Sequence, residues 1–482
     1  MRRNDAVQGI IMQNGDRVWD LVEAHRPEFV ALADRVFDTP EVAYDEYASA
    51  EAHLQALQAA GARITRDLAG IPTALMGEWG QGGPLIAILG EYDALPALGQ
   101  EPGVAEPRPL GNAGHGCGHN LLGSAAMLAA VALRDWLAET GTPGRVRYYG
   151  CPAEEGGAAK TFMVRAGLFA DVDAAISWHP ADMTGVFEAV SLANTRIDFT
   201  FTGRAAHAAS SPELGRSALD AVELMNVAVN YLREHMPDDA RVHYAYLDAG
   251  GEAPNVVQAK ATVRQLIRTR RLRDLRALEG RVRKIAEGAA LMTETQVSAK
   301  VVSAVSDLLG NSVLDRVMEA EMQRLGAPDF DAADKPLADA IRATLTPEHI
   351  ADTFRRAGRP VDPDLALCDF VVPLGSAPVA AQGSTDVGDV SWAVPTVQAW
   401  VATCAIGTPF HTWQLTAQGK SPAAHKGMVH AAKIMAATGR ALFAAPEVLA
   451  AAKAEHARHL AAEPYICPMP DEVQPPIRPR RS

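Results

Sequence analysis

Val18, Leu21, Val22, Phe29, Leu32 and Val36 recur at helical spacing and predict an amphipathic helix over 16–37. A second helix is predicted over 47–60, stopped by Gly61. Residues 84–90 then read PLIAILG, a short unbroken apolar run bounded by Pro and Gly. Such a run suits a strand buried on both faces. Similar runs recur at 146–149, 174–178 and 397–403, with helices between them, notably over 120–139. Strands alternating with helices predict an α/β fold, a doubly wound and mainly parallel sheet covered on both sides.

From residue 191 the periodicity changes. Residues 195–203, TRIDFTFTG, alternate polar and apolar, as a strand with one exposed face does. A helix is predicted over 217–235, strands over 242–247 and 256–268, a charged helix over 273–290 and a last strand over 296–302. Antiparallel strands with two helices make a compact unit of roughly 110 residues, after which the α/β pattern resumes. Residues 191–305 are therefore expected to be an α+β domain inserted into a larger domain built from 1–190 and 306–482. The closing PMPDEVQPPIRPRRS is Pro-rich and predicts an extended tail.

With 48% hydrophobic and 21% charged residues, the 482-residue chain has ample material for a large core. Its net charge of −13 argues against a broad basic surface for nucleic acid. The five cysteines form no CxxC pair, which argues against a disulfide framework and fits a reducing compartment. The amino terminus, MRRNDAVQGIIMQNGDR, lacks a continuous apolar stretch, so no secretory leader is expected. The apolar stretch 121–137 is interrupted by Arg134 and Asp135 and is short and Ala-rich for a membrane span. A cytoplasmic protein with no membrane association is the expectation.

His25, His53, His235, His456 and His459 lie among charged residues on predicted helices and are expected at the solvated surface. Residues 111–120, GNAGHGCGHN, differ: a glycine-dense turn before a helix presents His115, Cys117 and His119. Thiolate and imidazole two positions apart can reach one ion, and a tight structural turn with incidental histidines explains the segment equally well. Pro152-Ala-Glu154-Glu155-Gly-Gly follows a predicted strand, at the end where open α/β sheets place ligands. Two carboxylates can divide metal binding and proton transfer. In a regular strand they would point to opposite faces, so the glycines must turn the backbone if both serve one site. His179 closes another apolar strand, and His411 follows a fourth. Together these segments offer a ligand set plus a base.

These residues carry a family resemblance. GEYDALP (90–96), HGCGHN, PAEEGG and the inserted domain resemble the zinc-dependent aminoacylase and carboxypeptidase superfamily, clan MH, in its amidohydrolase branch. GSTDVGDVSW (383–392), GTPFHTWQ (407–414) and AHKGM (424–428) narrow the resemblance toward hydrolases of aroyl-amino acids. The resemblance implies Cys117, His119, Glu155, His179 and a late histidine as ligands of two divalent metal ions, zinc or manganese. His411 and His425 compete for that last place, and the spacing to the final long helix favours His411. Glu154 is implied as general base, with Asp93 orienting a ligand. The place of the superfamily's first histidine ligand is Glu91 here. In the inserted domain, read as lid and dimerisation surface, His207 is implied to act across a subunit interface. Asn255 and Arg268 are implied to hold the substrate carboxylate, although Arg268 also reads as one of the surface arginines between 264 and 273.

The function so implied is metal-dependent hydrolysis of the amide bond of an N-acyl or N-aroyl amino acid with a free carboxylate. The partner is a second copy or a homologous subunit. A dipeptidase acting on unusual dipeptides and a catalytically silent partner subunit are the alternatives.

Overall fold

The computed structural model describes residues 15–186, 191–376 and 383–477. Most of the segment behind the leader expectation lies outside the described residues, as do residues 478–482 of the Pro-rich tail.

Fourteen strands are named in chain order. They are β1 (Arg63–Arg66), β2 (Leu75–Gln81), β3 (Leu85–Glu91), β4 (Leu95–Pro96), β5 (Ala113–Gly114), β6 (Gly144–Cys151), β7 (Ala174–Ala181), β8 (Thr184–Gly185), β9 (Ala193–Thr202), β10 (Arg241–Asp248), β11 (Lys260–Thr269), β12 (Gln296–Val305), β13 (Val371–Val372) and β14 (Thr396–Ala402). Eight form one sheet in the order β1-β2-β6-β3-β7-β14-β8-β13. Its centre, β6-β3-β7-β14, is parallel.

The helices that cover it explain the apolar runs. Every residue of β3 is buried. Ile86 and Ile88 face one core, with Phe29, Leu128 and Met435 of the helices Gly15–Asp38, His119–Thr140 and Pro422–Ala444. Leu85, Ala87 and Leu89 face the other, with Phe162 and Val390. A strand sandwiched this way has no solvent face, so period-two alternation disappears. The antiparallel edge β1-β2 is an addition to the expected sheet. β2 reads LMGEWGQ and alternates buried with half-buried positions, a weak signal in a glycine-containing segment.

Helix His119–Thr140 is longer than expected, with 22 residues, and has the length and composition of a membrane span. Its apolar window is instead 83% buried inside the protein, where alanines let sheet and helices approach closely.

Residues 193–305 form the second sheet, β10-β11-β9-β12, antiparallel throughout. Ile197, Phe199 and Phe201 point into a core shared with Met225 and Val229 of helix Ala218–Leu232 and with Leu275 and Val282 of helix Leu272–Thr293. The intervening residues of β9 line the opposite face. β11 begins four residues later than expected, because Val256 makes an isolated bridge to His207 and 257–259 carry no strand.

Helix Ser312–Leu325 joins the first core through Leu314, Val317, Met318 and Met322, and helices Lys335–Arg342 and Pro347–Arg356 pack beyond the carboxyl end of β14, where Thr353 donates its hydroxyl to Asp182 at 2.8 Å. Among the described residues, the tail from 464 to 477 carries no helix or strand and docks on the body. Arg165 donates to the carbonyls of Pro470 and Val473, and Arg276 to that of Ile466.

Two histidines expected in solvent are inside. His53 is fully buried, with its ring centroid 4.9 Å from that of Tyr92 and 5.9 Å from that of Tyr148. His456 is buried with its Nε2 3.0 Å from the Ser391 carbonyl. Charged neighbours in sequence sit on the far side of a helix and do not report which face a histidine occupies.

Candidate active site

The parallel strands end around one cavity of about 710 Å³. Cys117 lines it from the glycine turn, where Gly118 starts the helix at φ 78°, and His119 stands fully buried behind it. Glu154 and Glu155 follow β6. Here the chain turns sharply, with Ala153 at φ 55° and Gly156 at φ 103°. The φ of Gly156 calls for glycine; a Cβ there would meet the mobile end of Arg196, 2.3 Å from its Nη1. His179 lies within β7 and His411 in the loop after β14, anchored by its N–H to the Gly116 carbonyl at 2.8 Å.

The donor atoms converge. Those of Cys117, His119 and His179 all lie within 4.8 Å of one another, as do those of Cys117, Glu155 and His411. Glu91, His119 and Glu154 make a third such group. His425 is elsewhere, with Nε2 2.9 Å from Asp34 Oδ1. His115 is also elsewhere, bonded to the Val36 carbonyl.

The buried His119 and half-buried His179 imidazoles are oriented by their other nitrogen. His119 donates from Nδ1 to Asp93 Oδ1 at 2.8 Å, and His179 donates from Nδ1 to the Pro180 carbonyl at 2.7 Å. That leaves each Nε2 lone pair directed into the cluster, the arrangement metal-binding histidines use. His119 Nε2 is buried without a hydrogen-bond partner. It stands 3.3 Å from Glu91 Oε2 without the geometry of a hydrogen bond, and a buried nitrogen left so beside a thiol and carboxylates is a costly arrangement unless a cation completes it. Burial and the Glu155 charge push the Cys117 thiol well up, which a divalent ion would reverse. The donor set therefore fits metal.

Asp93 also receives the Glu155 N–H on Oδ2 at 2.8 Å, tying the carboxylate turn to the His119 imidazole. Burial opposes ionisation of Glu155, but His411 and His119 hold it down at about 2. Glu154 goes the other way: burial and the charges of Glu91, Glu155 and Asp386 push it well up. Two adjacent carboxyls with opposed affinities for a proton suit one ligand and one base.

Several contributors escaped the sequence reading. Lys160 is fully buried and bridges Glu91 Oε1 at 2.6 Å and Asp386 Oδ1 at 2.7 Å. Glu91 therefore spends one oxygen on an ion pair. Tyr44 and Glu46 clamp the carboxylate turn: Glu46 accepts the Ala153 N–H at 2.9 Å, and Tyr44 donates its hydroxyl to Gly157 O at 2.6 Å. Asp386 lies in a segment already noticed, whereas nothing in spacing or composition marks Tyr44, Glu46 or Lys160. His207 and Asn255 sit together on the unit built around the second sheet, where Ala208 N–H reaches the Asn255 carbonyl and His207 bridges to Val256. Neither lines the cavity, while Arg268 does. Asn255 and Arg268 thus do not share one site within a single chain.

Residues 87–358 match the family described as Peptidase family M20/M25/M40. One of the p-aminobenzoyl-glutamate hydrolase subunits of Escherichia coli (strain K12) is 46% identical over 468 residues, covering 95% of this chain and 97% of its own. The chain belongs to the M20/M25/M40 peptidase family. It is accordingly a metal-dependent hydrolase of amide bonds. The Xaa-Arg dipeptidase of Mus musculus is 27% identical over 442 residues, 88% of each chain. In fold, the chain resembles a dinuclear metal-binding M20 peptidase from Bacillus subtilis, with a TM-score of 0.54, 17% identity, and coverage of 85% of this chain and 98% of that one.

Proposed function

We propose that this M20 hydrolase cleaves the amide bond of N-aroyl or N-acyl amino acids bearing a free carboxylate, with p-aminobenzoyl-glutamate as the representative substrate. One juxtaposition carries the reading. The cavity that holds Glu154 and the ligand cluster is also lined by Trp400, Phe410 and Arg268. The Trp400 and Phe410 rings each lie 5.4 Å from the His179 ring, a flat apolar berth for an aroyl group beside the cluster. Arg268 Nε is buried without a partner and suits a carboxylate.

Cys117, His119, His179, Glu155 and His411 would hold two divalent ions, zinc or manganese, with Cys117 shared between the two groups. The chemistry such ions supply when bound is acidification of the attacking water and polarisation of the amide carbonyl. Glu154 accepts the proton of that water on its carboxylate and returns it to the leaving nitrogen. Asp93 keeps His119 and the Glu155 backbone in register.

His207 and Asn255 are proposed to complete the cavity of a partner, either a second copy or a homologous subunit; the Escherichia coli relative is itself named as one subunit of a hydrolase. Edge strand β10 with exposed Tyr244, Tyr246 and Leu247, and helix Ala218–Leu232 with exposed Val227 and Tyr231, support that contact.

A dipeptide with a basic C-terminal residue would bring like charge to Arg268 and Arg196, which weighs against the dipeptidase reading. The test is turnover by zinc- or manganese-loaded protein of p-aminobenzoyl-glutamate, indole-acetyl-aspartate and dipeptides ending in arginine. Preference for the acidic amides is expected. Preference for the basic dipeptides, or metal binding without turnover of any amide, overturns the reading.

A further inference from the structure

One face of the lid sheet carries a ladder of polar pairs between β9 and β11. Thr200 meets Thr262, with hydroxyls 3.0 Å apart, and Asp198 meets Arg264 in a two-pronged ion pair of 2.7 and 2.9 Å. The next two rungs are Arg196 opposite Leu266 and Asn194 opposite Arg268. On the other side of β9, Ser303 of β12 stands opposite Arg196. The ladder is matched until it reaches the cavity and unmatched inside it. Asn194, Arg196, Arg268 and Ser303 all line the cavity, and Asp198 and Arg264 do not.

Neither Arg196 nor Arg268 forms an ion pair with an acid among the described residues. The hydrogen bond found for Arg196 is to the Gly156 carbonyl, at 3.3 Å. The carboxylates whose charge it feels, Glu155 and Glu154, belong to the metal cluster. Two half-buried guanidiniums on diagonal positions of adjacent strands repel each other with no carboxylate in ion-pair contact, a cost that one 3.3 Å bond from Arg196 to the Gly156 carbonyl offsets only in part. A ligand that brings two negative charges removes that cost. One negative charge, the carboxylate already assigned to Arg268, leaves the second guanidinium unmatched.

We infer that Arg196, with Asn194 and Ser303 beside it, forms a second anion subsite that binds the side-chain carboxylate of the released amino acid, so that the enzyme selects acidic residues. The inference rests on the amide-hydrolase reading above and adds to it the residue that reads the side chain. The guanidinium fork accepts a carboxylate through two N–H donors, and an amide of the same shape offers one acceptor and a repelling NH₂. Arg196 therefore discriminates glutamate from glutamine, while Arg268 serves both.

The experiment compares kcat/KM of metal-loaded full-length protein on p-aminobenzoyl-glutamate and p-aminobenzoyl-glutamine. The unmodified enzyme is expected to prefer the acid by roughly 30-fold or more, and Arg196→Gln to bring that ratio within about threefold of unity, chiefly through KM. Arg268→Gln should lower both substrates together, because both carry the main-chain carboxylate. Arg196→Lys keeps the charge and should retain part of the preference, which separates charge recognition from a folding defect. Equal losses on the two substrates in Arg196→Gln would assign Arg196 to holding the Gly156 turn and overturn the subsite, as would an unchanged ratio. If the unmodified protein hydrolyses neither amide, the functional reading fails on its own, and calorimetric binding of free glutamate against free glutamine decides the subsite. Glutamate-selective binding lost in Arg196→Gln sustains it, and no selectivity overturns it.

Discussion

Tyr44 donates its hydroxyl to the Gly157 carbonyl at 2.6 Å, across 113 residues of sequence. With Glu46 on the Ala153 N–H, this bond closes both ends of the turn that presents Glu154 and Glu155. Ala153 and Ala158 flank that turn with φ of 55° and 58°, conformations that alanine adopts only under constraint. Tyr44→Phe removes one neutral bond and little volume. Stability should fall by about 1 kcal/mol, while kcat falls more than tenfold with metal content intact. Thermal melts, metal analysis and kinetics on one preparation check this; unchanged kcat would reduce Tyr44 to a structural contact.

His411 and His425 give opposite expectations for metal. His411 Nε2 lies 3.2 Å from Glu155 Oε1, and His425 pairs with Asp34. His411→Ala should lower bound metal per chain by about one equivalent or weaken its retention roughly 10- to 100-fold, whereas His425→Ala should leave it unchanged. Plasma emission analysis after dialysis against a weak chelator distinguishes them.

Glu154→Gln keeps the shape of the side chain and abolishes its basicity. Metal content should stay near normal and turnover should fall by about 10²–10⁴-fold. Loss of an ion from this variant would mean that Glu154 is a ligand, through the group it shares with Glu91 and His119.

Acid stability should depend on His53. Burial pushes its pKa down to about 3, and the Tyr148 hydroxyl lies 2.8 Å from Nδ1 while Nε2 has no partner. An unfolded histidine titrates near 6.5, so below that pH the unfolded chain gains a proton that the folded chain refuses. The folded state therefore loses stability as pH falls from about 6.5 toward 3, by about 1.4 kcal/mol per unit. In His53→Gln the melting temperature should decline less steeply between about pH 6.5 and 4. Parallel curves for the two proteins would rule the histidine out as a source of acid sensitivity.

The periodicities are legible along the chain alone. Unbroken apolar runs at 84–90 and 174–178 and alternation at 195–203 distinguish a doubly covered parallel sheet from a one-sided antiparallel one, because period-two patterning survives only where one face meets water. The site's short-range chemistry is legible too, since Cys117 with His119 and Glu154 with Glu155 are neighbours in sequence. Whatever depends on distance between remote segments is settled by the fold. Tyr44 and Glu46 reach the carboxylate turn, Lys160 pairs with Glu91 and Asp386, and His411 rather than His425 meets Glu155. Only strand pairing could show that Arg264 has its acid and Arg196 does not. A polar side chain carries the same letter whether it faces water, a counter-ion or an empty cavity, and the free energy that separates those states comes from burial and partners that the fold alone supplies.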